Sequence, residues 1–167
     1  MFQLGGATIR KLDAGGRAGL TDALRDVYSK NLVIAPGFDN CIRAYSKKSW
    51  DAFAVQLSLL DQNDPDVADF VRFFAAMTSD VEVDSNGRIK FTEALLKWAG
   101  FSDELREIEF YDAGDYIEFW EVGRFNQYMT DKAPTFKELA RKLFGKQTDS
   151  GAEGSRNGAG SPAGNGG

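Results

Sequence analysis

The phrase LDAGGRAGLTDAL at residues 12–24 returns as VDSNGRIKFTEAL at residues 83–95. A chain that spells one short phrase twice, in the same order, must fold so that the phrase is used twice. The repeat extends beyond it. At an offset of 71 residues Thr8 meets Ser79, Leu12 meets Val83, Asp13 meets Asp84, Gly16 meets Gly87 and Arg17 meets Arg88. Leu20 then meets Phe91, Thr21 meets Thr92, Ala23 meets Ala94 and Leu24 meets Leu95. Further on the offset becomes 75: Val33 meets Ile108, Ile42 meets Ile117, Tyr45 meets Trp120, Trp50 meets Phe125 and Phe53 meets Tyr128. A four-residue insertion near residues 100–106 accounts for the change.

Each copy has the same expected order of elements. TIRKL at 8–12 is strand-like, and DAGGR supplies turn chemistry, with Asp13 bonding nearby backbone and glycines tolerating positive φ. TDALRDVY at 21–28 is a short helix capped by Thr21 or Asp22. LVIA at 32–35 and CIRAY at 41–45 are strands around the turn PGFDN. Trp50, Phe53, Ala54, Leu57 and Leu60 recur at helical spacing. The second copy repeats this with VEV and IKF, a helix over 92–99, strands over 108–111 and 116–120, and a helix from Phe125. Between the copies Asp64 caps a helix with Pro65 at its first position and Val67, Phe70, Val71 and Phe74 as its stripe. A last helix runs from Thr135 to Phe144, where Thr135 and Glu138 have capping-box spacing. From residue 146 the Gly, Ser and Asn text is expected to be a disordered tail.

A unit this small cannot bury both faces of its own sheet. Two copies packed together close one core, so the expected architecture is α+β with a pseudo-twofold inside the chain. The expected boundaries are 1–60 for the first unit, 61–78 for a connecting helix and 79–130 for the second unit. A C-terminal helix over 131–145 and the tail over 146–167 complete them.

Several function classes are disfavoured at once. The sequence has no histidine, which removes His-based triads and most zinc hydrolases. Its one cysteine, Cys41, cannot form an internal disulfide and is expected to pack as a small buried residue. No run of apolar residues is long enough to span a membrane, and the start lacks the pattern of a signal peptide, so a cytoplasmic protein is expected. DQNDPD at 61–66 lacks the glycine and closing glutamate of a calcium loop. No Gly-rich phosphate loop follows a strand. No enzyme, cofactor, metal site or small-molecule substrate is therefore expected.

The repeated D-x-x-G-R carries the functional argument. A tight turn needs its Asp and Gly, so Asp13, Gly16, Asp84 and Gly87 are expected to form the turns. It does not need the arginine. A guanidinium kept twice beside such a turn points to a shared use, and an arginine on a hairpin can grip a phosphate or lie bidentate on guanine. Arg10, Lys11 and Arg25 near the first turn, and Lys90 and Lys97 near the second, add local positive charge to a chain whose net charge is −5.

The residues LDAGGR at 12–17, LTDALRD at 20–26, FDNCIRAY at 38–45 with Trp50, VRFFAA at 71–76, VDSNGRI at 83–89 and YIEFW at 116–120 resemble the MraZ family. The likeness covers about residues 1–130. It implies two AbrB-like swapped-hairpin β-barrel units and a ring-shaped homo-oligomer. It also implies a transcriptional regulator, nucleoid-associated, that binds double-stranded DNA at short direct repeats upstream of a cell-division and cell-wall gene cluster. It carries Arg17 and Arg88 over as DNA-contacting residues; Arg10, Lys11 and Lys90, the cations read beside the two turns, are expected to bind DNA with them. The chain departs from the family pattern at Gly15, where a lysine is usual, and at Thr21 and Thr92, where proline is usual. Two rivals stay open: an AbrB-type antitoxin or transition-state regulator, and a structural oligomer that binds no DNA.

Overall fold

The computed structural model describes residues 4–28 and 30–145. The expected tail from residue 146 lies outside them. The chain divides into two compact units, one up to Gln127 and one from Tyr128.

In the first unit the elements are β1 (Thr8–Lys11), β2 (Arg17–Gly19), α1 (Asp22–Val27), β3 (Asn31–Pro36), β4 (Ile42–Ser46) and α2 (Lys47–Ser58). They continue with α3 (Pro65–Met77), β5 (Ser79–Glu82), β6 (Arg88–Lys90), α4 (Glu93–Ala99), β7 (Glu107–Asp112) and β8 (Tyr116–Glu121). The helix α5 (Val122–Lys132) contains the division. Local chemistry sets the helix starts. Thr21 and Thr92 each accept a hydrogen bond from the backbone N–H three residues on, Leu24 at 3.4 Å and Leu95 at 3.3 Å. Asp64 caps α3 by accepting from Asp66 N at 2.9 Å, with Pro65 at the first helical position.

Six antiparallel strands form one sheet in the order β1-β7-β8-β4-β3-β5, and β2 and β6 form a separate two-stranded ribbon. The order is symmetric under exchange of the two copies. β1 of the first copy pairs with β7 of the second, and β5 of the second pairs with β3 of the first. The axis of exchange passes between β4 and β8, where Arg43 faces Glu118, and through the ribbon, where Ala18 faces Ile89. The expected β-barrel units are not closed by hydrogen bonds. The sheet ends at β1 and β5, because the chain leaves it at the Asp13 and Asp84 turns to make the ribbon.

One match between the copies shifts. Leu32 and Ile34 are buried with Ile108 and Phe110, whereas Val33 and Glu109 fall on the alternate positions of their strands. Val33 therefore does not correspond to Ile108. The loop joining β7 to β8 is one residue shorter than that joining β3 to β4, so the offset in the first strand of each hairpin is one greater than in the second.

The sheet separates two apolar clusters. On one face Leu32, Ile34, Ile42, Ala44, Ile108, Phe110, Ile117 and Phe119 pack with Ala18 and Ile89 of the ribbon and with Leu24 of α1 and Leu95 of α4. On the other face α2 and α3 lay Trp50, Phe53, Leu57, Phe70 and Phe74 against Ala35, Tyr45 and Tyr116. The stripes of these helices thus face the chain's own sheet. Their outer sides leave Val55, Leu59 and Phe73 exposed.

In the second unit a 3₁₀ turn, Ala133–Thr135, leads into α6 (Phe136–Phe144). The expected capping box does not form. Thr135 already has helical φ and ψ, and its hydroxyl donates back to Lys132 O at 2.8 Å. Among the described residues no helix is long and apolar enough to cross a membrane.

Candidate nucleic-acid interface

The two D-x-x-G-R turns are built alike. Asp13 Oδ1 accepts from Gly15 N and Arg17 N, each at 2.9 Å, and Gly16 N donates to Asp13 O at 3.0 Å. Asp84 Oδ1 accepts from Asn86 N and Arg88 N at 2.9 Å, and Gly87 N donates to Asp84 O at 2.9 Å. Gly16 and Gly87 have φ of 73° and 72°, the left-handed region that a glycine enters without steric cost. The Arg17 and Arg88 backbone N–H groups are the leading cause holding the Asp13 and Asp84 carboxyls below the usual range.

Each turn is tied to the other copy. Leu20 N donates to Gly87 O at 2.9 Å and Phe91 N donates to Gly16 O at 3.0 Å. Arg25 lies over Gly87, so a Cβ there would meet its guanidinium, while the equivalent residue Leu96 lies over Gly16. Arg25 Nε also donates to Leu20 O at 3.1 Å.

Between the turns the ribbon pairs Arg17 with Lys90, Ala18 with Ile89 and Gly19 with Arg88. Directly opposed residues of an antiparallel pair share a face, and neighbours along a strand alternate. Ala18 and Ile89 are buried in the core. Arg17, Lys90 and Arg88 therefore all point away from it, on one outer face. The structure brings these three together.

It treats them unequally. Arg88 spans both turns: its Nε donates to Asp84 Oδ2 at 3.1 Å and its Nη1 to Asp13 Oδ2 at 3.3 Å, with its side chain 39% exposed. Arg17 lies above Gly15, where a Cβ would stand 2.4 Å from its Nη1. Gly15, which has no side chain, thus leaves room for this guanidinium. Among the described residues neither the Arg17 guanidinium nor the Lys90 ammonium has a hydrogen bond or ion pair.

Arg10 and Lys11 lie elsewhere, exposed on the sheet-edge strand β1 and on alternate faces of it. Lys11 stands opposite Glu107, and Arg10 Nη1 donates to Ile9 O at 3.1 Å. Neither belongs to the ribbon. Arg106 went unnoticed in the sequence. It donates to Asp13 O, bracing the first turn from the start of β7, and nothing about its spacing marks it.

A second polar cluster sits on the exchange axis. Arg43 Nε donates to Glu118 Oε2 at 3.0 Å, and its guanidinium lies over Tyr116 at 4.2 Å and Phe38 at 4.8 Å. Glu118 Oε1 accepts from Tyr111 Oη at 2.6 Å and Trp120 Nε1 at 2.9 Å. The signal was present in the repeat: the 75-residue offset that aligns Ile42 with Ile117 also aligns Arg43 with Glu118.

Comparison with known proteins brings out one set of relatives. The sequence profile of the family described as "MraZ protein, putative antitoxin-like" matches residues 3–73. A protein of Acetivibrio thermocellus named "Transcriptional regulator MraZ" is 30% identical over 132 residues, covering 79% of this chain and 90% of the relative. One of the same name in Lactiplantibacillus plantarum is 30% identical over 133 residues, covering 80% and 92%. Another in Christiangramia forsetii is 29% identical over 150 residues, covering 87% and 95%.

Proposed function

Since the chain belongs to the MraZ family, we propose that it is a sequence-specific, DNA-binding transcriptional regulator acting through the outer face of the β2–β6 ribbon. The relatives' name supplies regulation as the class of function, one that calls for no catalysis. The observation that carries the DNA reading is the pairing of Arg17 directly opposite Lys90. Like charges facing each other across a strand pair are destabilising. A phosphodiester lying between them turns that repulsion into attraction.

The finer reading follows the family. The two units, residues 1–60 and 79–130, are fused swapped-hairpin units of the AbrB type, joined by the helix over 61–78 and followed by the helix over 131–145. Several chains assemble as a ring and bind short direct repeats upstream of a cell-division and cell-wall gene cluster, in the nucleoid. One ribbon offers few contacts, so its grip on DNA is weak. Several ribbons on spaced repeats bind tightly through effective concentration. An acidic chain can do this because only the ribbon face needs to be positive.

The test is fluorescence anisotropy with duplex DNA from upstream of the chain's own gene, against a random duplex, at several salt concentrations. Affinity is expected to be higher for the upstream duplex and to fall steeply with salt. Equal, salt-insensitive affinity for both duplexes refutes the reading.

A further inference from the structure

The duplicated arginines have parted roles, and we propose that the ribbon holds one phosphodiester at its Arg17–Lys90 end while Arg88 is a positioning residue that does not touch the DNA. The inference rests on the DNA-binding reading above and adds which end of the ribbon binds.

Were the two halves of the ribbon equivalent, each arginine would hold its own turn. Instead Arg88 alone reaches both carboxylates, Asp84 at 3.1 Å and Asp13 at 3.3 Å. Its single positive charge stands between two negative ones, and its Nε–H is committed to Asp84. To grip a phosphate it would have to leave two carboxylates unscreened beside a polyanion. The Arg17 charge also acts on the Asp13 carboxyl, but among the described residues its guanidinium makes no hydrogen bond or ion pair. That guanidinium and the Lys90 ammonium across the strand pair are the cations of this face that, among the described residues, no ion pair ties down. Opposite Arg88 the first strand has Gly19, which adds no cation. The ribbon is thus symmetric in backbone and polar in charge: cations at one end, a neutralised clamp at the other.

The clamp has its own task. Asp13 and Asp84 shape their turns through their Oδ1 atoms, so neither can be dispensed with. Each leaves an Oδ2 that would repel DNA. Arg88 covers both and joins the two turns across the axis, which fixes the strand on which Arg17 stands.

Two measurements on the full chain test this. In the first, salt dependence of binding to the upstream duplex is compared for the unmodified chain, Arg17→Ala, Lys90→Ala and Arg88→Ala. Loss of a cation that grips a phosphate lowers the log–log slope by about 0.9. Arg17→Ala and Lys90→Ala are each expected to lose affinity and to flatten the slope, with no loss of melting temperature. Arg88→Ala is expected to lose affinity and melting temperature but to keep its slope. In the second, the arginine Nε–Hε signals are followed by NMR. In the free protein the Arg88 proton is expected to be protected from exchange and the Arg17 proton is not. On adding DNA the Arg17 signal shifts and the Arg88 signal stays. Equal flattening by Arg17→Ala and Arg88→Ala, or an Arg88 signal that moves with DNA, overturns the division of roles while leaving DNA binding intact. Failure of the unmodified chain to bind any duplex overturns the DNA reading itself, and the phosphate site with it. The free-state exchange measurement judges the Arg88 clamp without DNA, and unprotected Arg88 overturns it.

Discussion

Replacing Arg43 with methionine removes one member of the ion pair on the exchange axis and leaves its partner in place. The side chains of Arg43 and Glu118 are 14% and 9% exposed, so water screens the pair little. Methionine keeps much of the apolar stem that packs among Phe38 and Tyr116, but Glu118 is left as a buried carboxylate with two neutral donors, Tyr111 and Trp120. Orphaning one partner of a buried pair costs about 3–5 kcal/mol. For a domain of this size, at roughly 4 °C per kcal/mol, the melting temperature falls by about 12–20 °C. The double variant Arg43→Met/Glu118→Gln removes both charges. Its amide oxygen can still accept from Tyr111 and Trp120, because both bond the same atom, Oε1. It is therefore expected to be more stable than the sum of the single effects by about 2 kcal/mol, since no buried charge remains. Urea unfolding of the four proteins at pH 7, with constant m, measures the cycle. Additivity within about 0.5 kcal/mol, or a loss below about 1 kcal/mol for Arg43→Met alone, would refute the argument that this pair is buried and coupled.

Gly87→Ala is expected to destabilise by about 1–2 kcal/mol, because alanine adopts a φ of 72° only with strain and its Cβ would displace Arg25. Gly6→Ala, with nothing within 4 Å of the new Cβ, serves as the unaffected control in the same melts. Burial pushes the Cys41 thiol up to about 12, so at pH 8 the folded protein should resist alkylation and react only on unfolding. Comparable labelling rates with and without urea would contradict that packing.

Much of the fold was legible because the repeat supplied two readings of each element. Thr21 and Thr92 mark helix starts by the same chemistry, and the D-x-x-G-R turns carry their own hydrogen-bonding instructions in Asp, Gly and spacing. Strand exchange was not written in any residue. Nothing in TIRK says that it pairs with residues of the other copy rather than its own. The mismatch at Val33 arose for a related reason: two hairpin loops of different length shift a register that apolar pattern alone cannot fix when Leu32, Val33 and Ile34 are all apolar. At the candidate site, the residue types were readable and their partners were not. Arg17 and Arg88 hold equivalent positions in the repeat, yet only one reaches both carboxylates, because that choice depends on how the ribbon brings the turns together. Arg10 and Lys11 looked close in sequence but the chain changes sheets at Asp13, which separates them from the ribbon.

A residue lying on a twofold axis of a homodimer must meet its own copy, arginine against arginine or glutamate against glutamate. Fusing the copies lifted that rule, and the chain used the freedom at the centre of its sheet. Two like halves meeting at this axis would bury like charges, so the sheet is completed only by unlike halves.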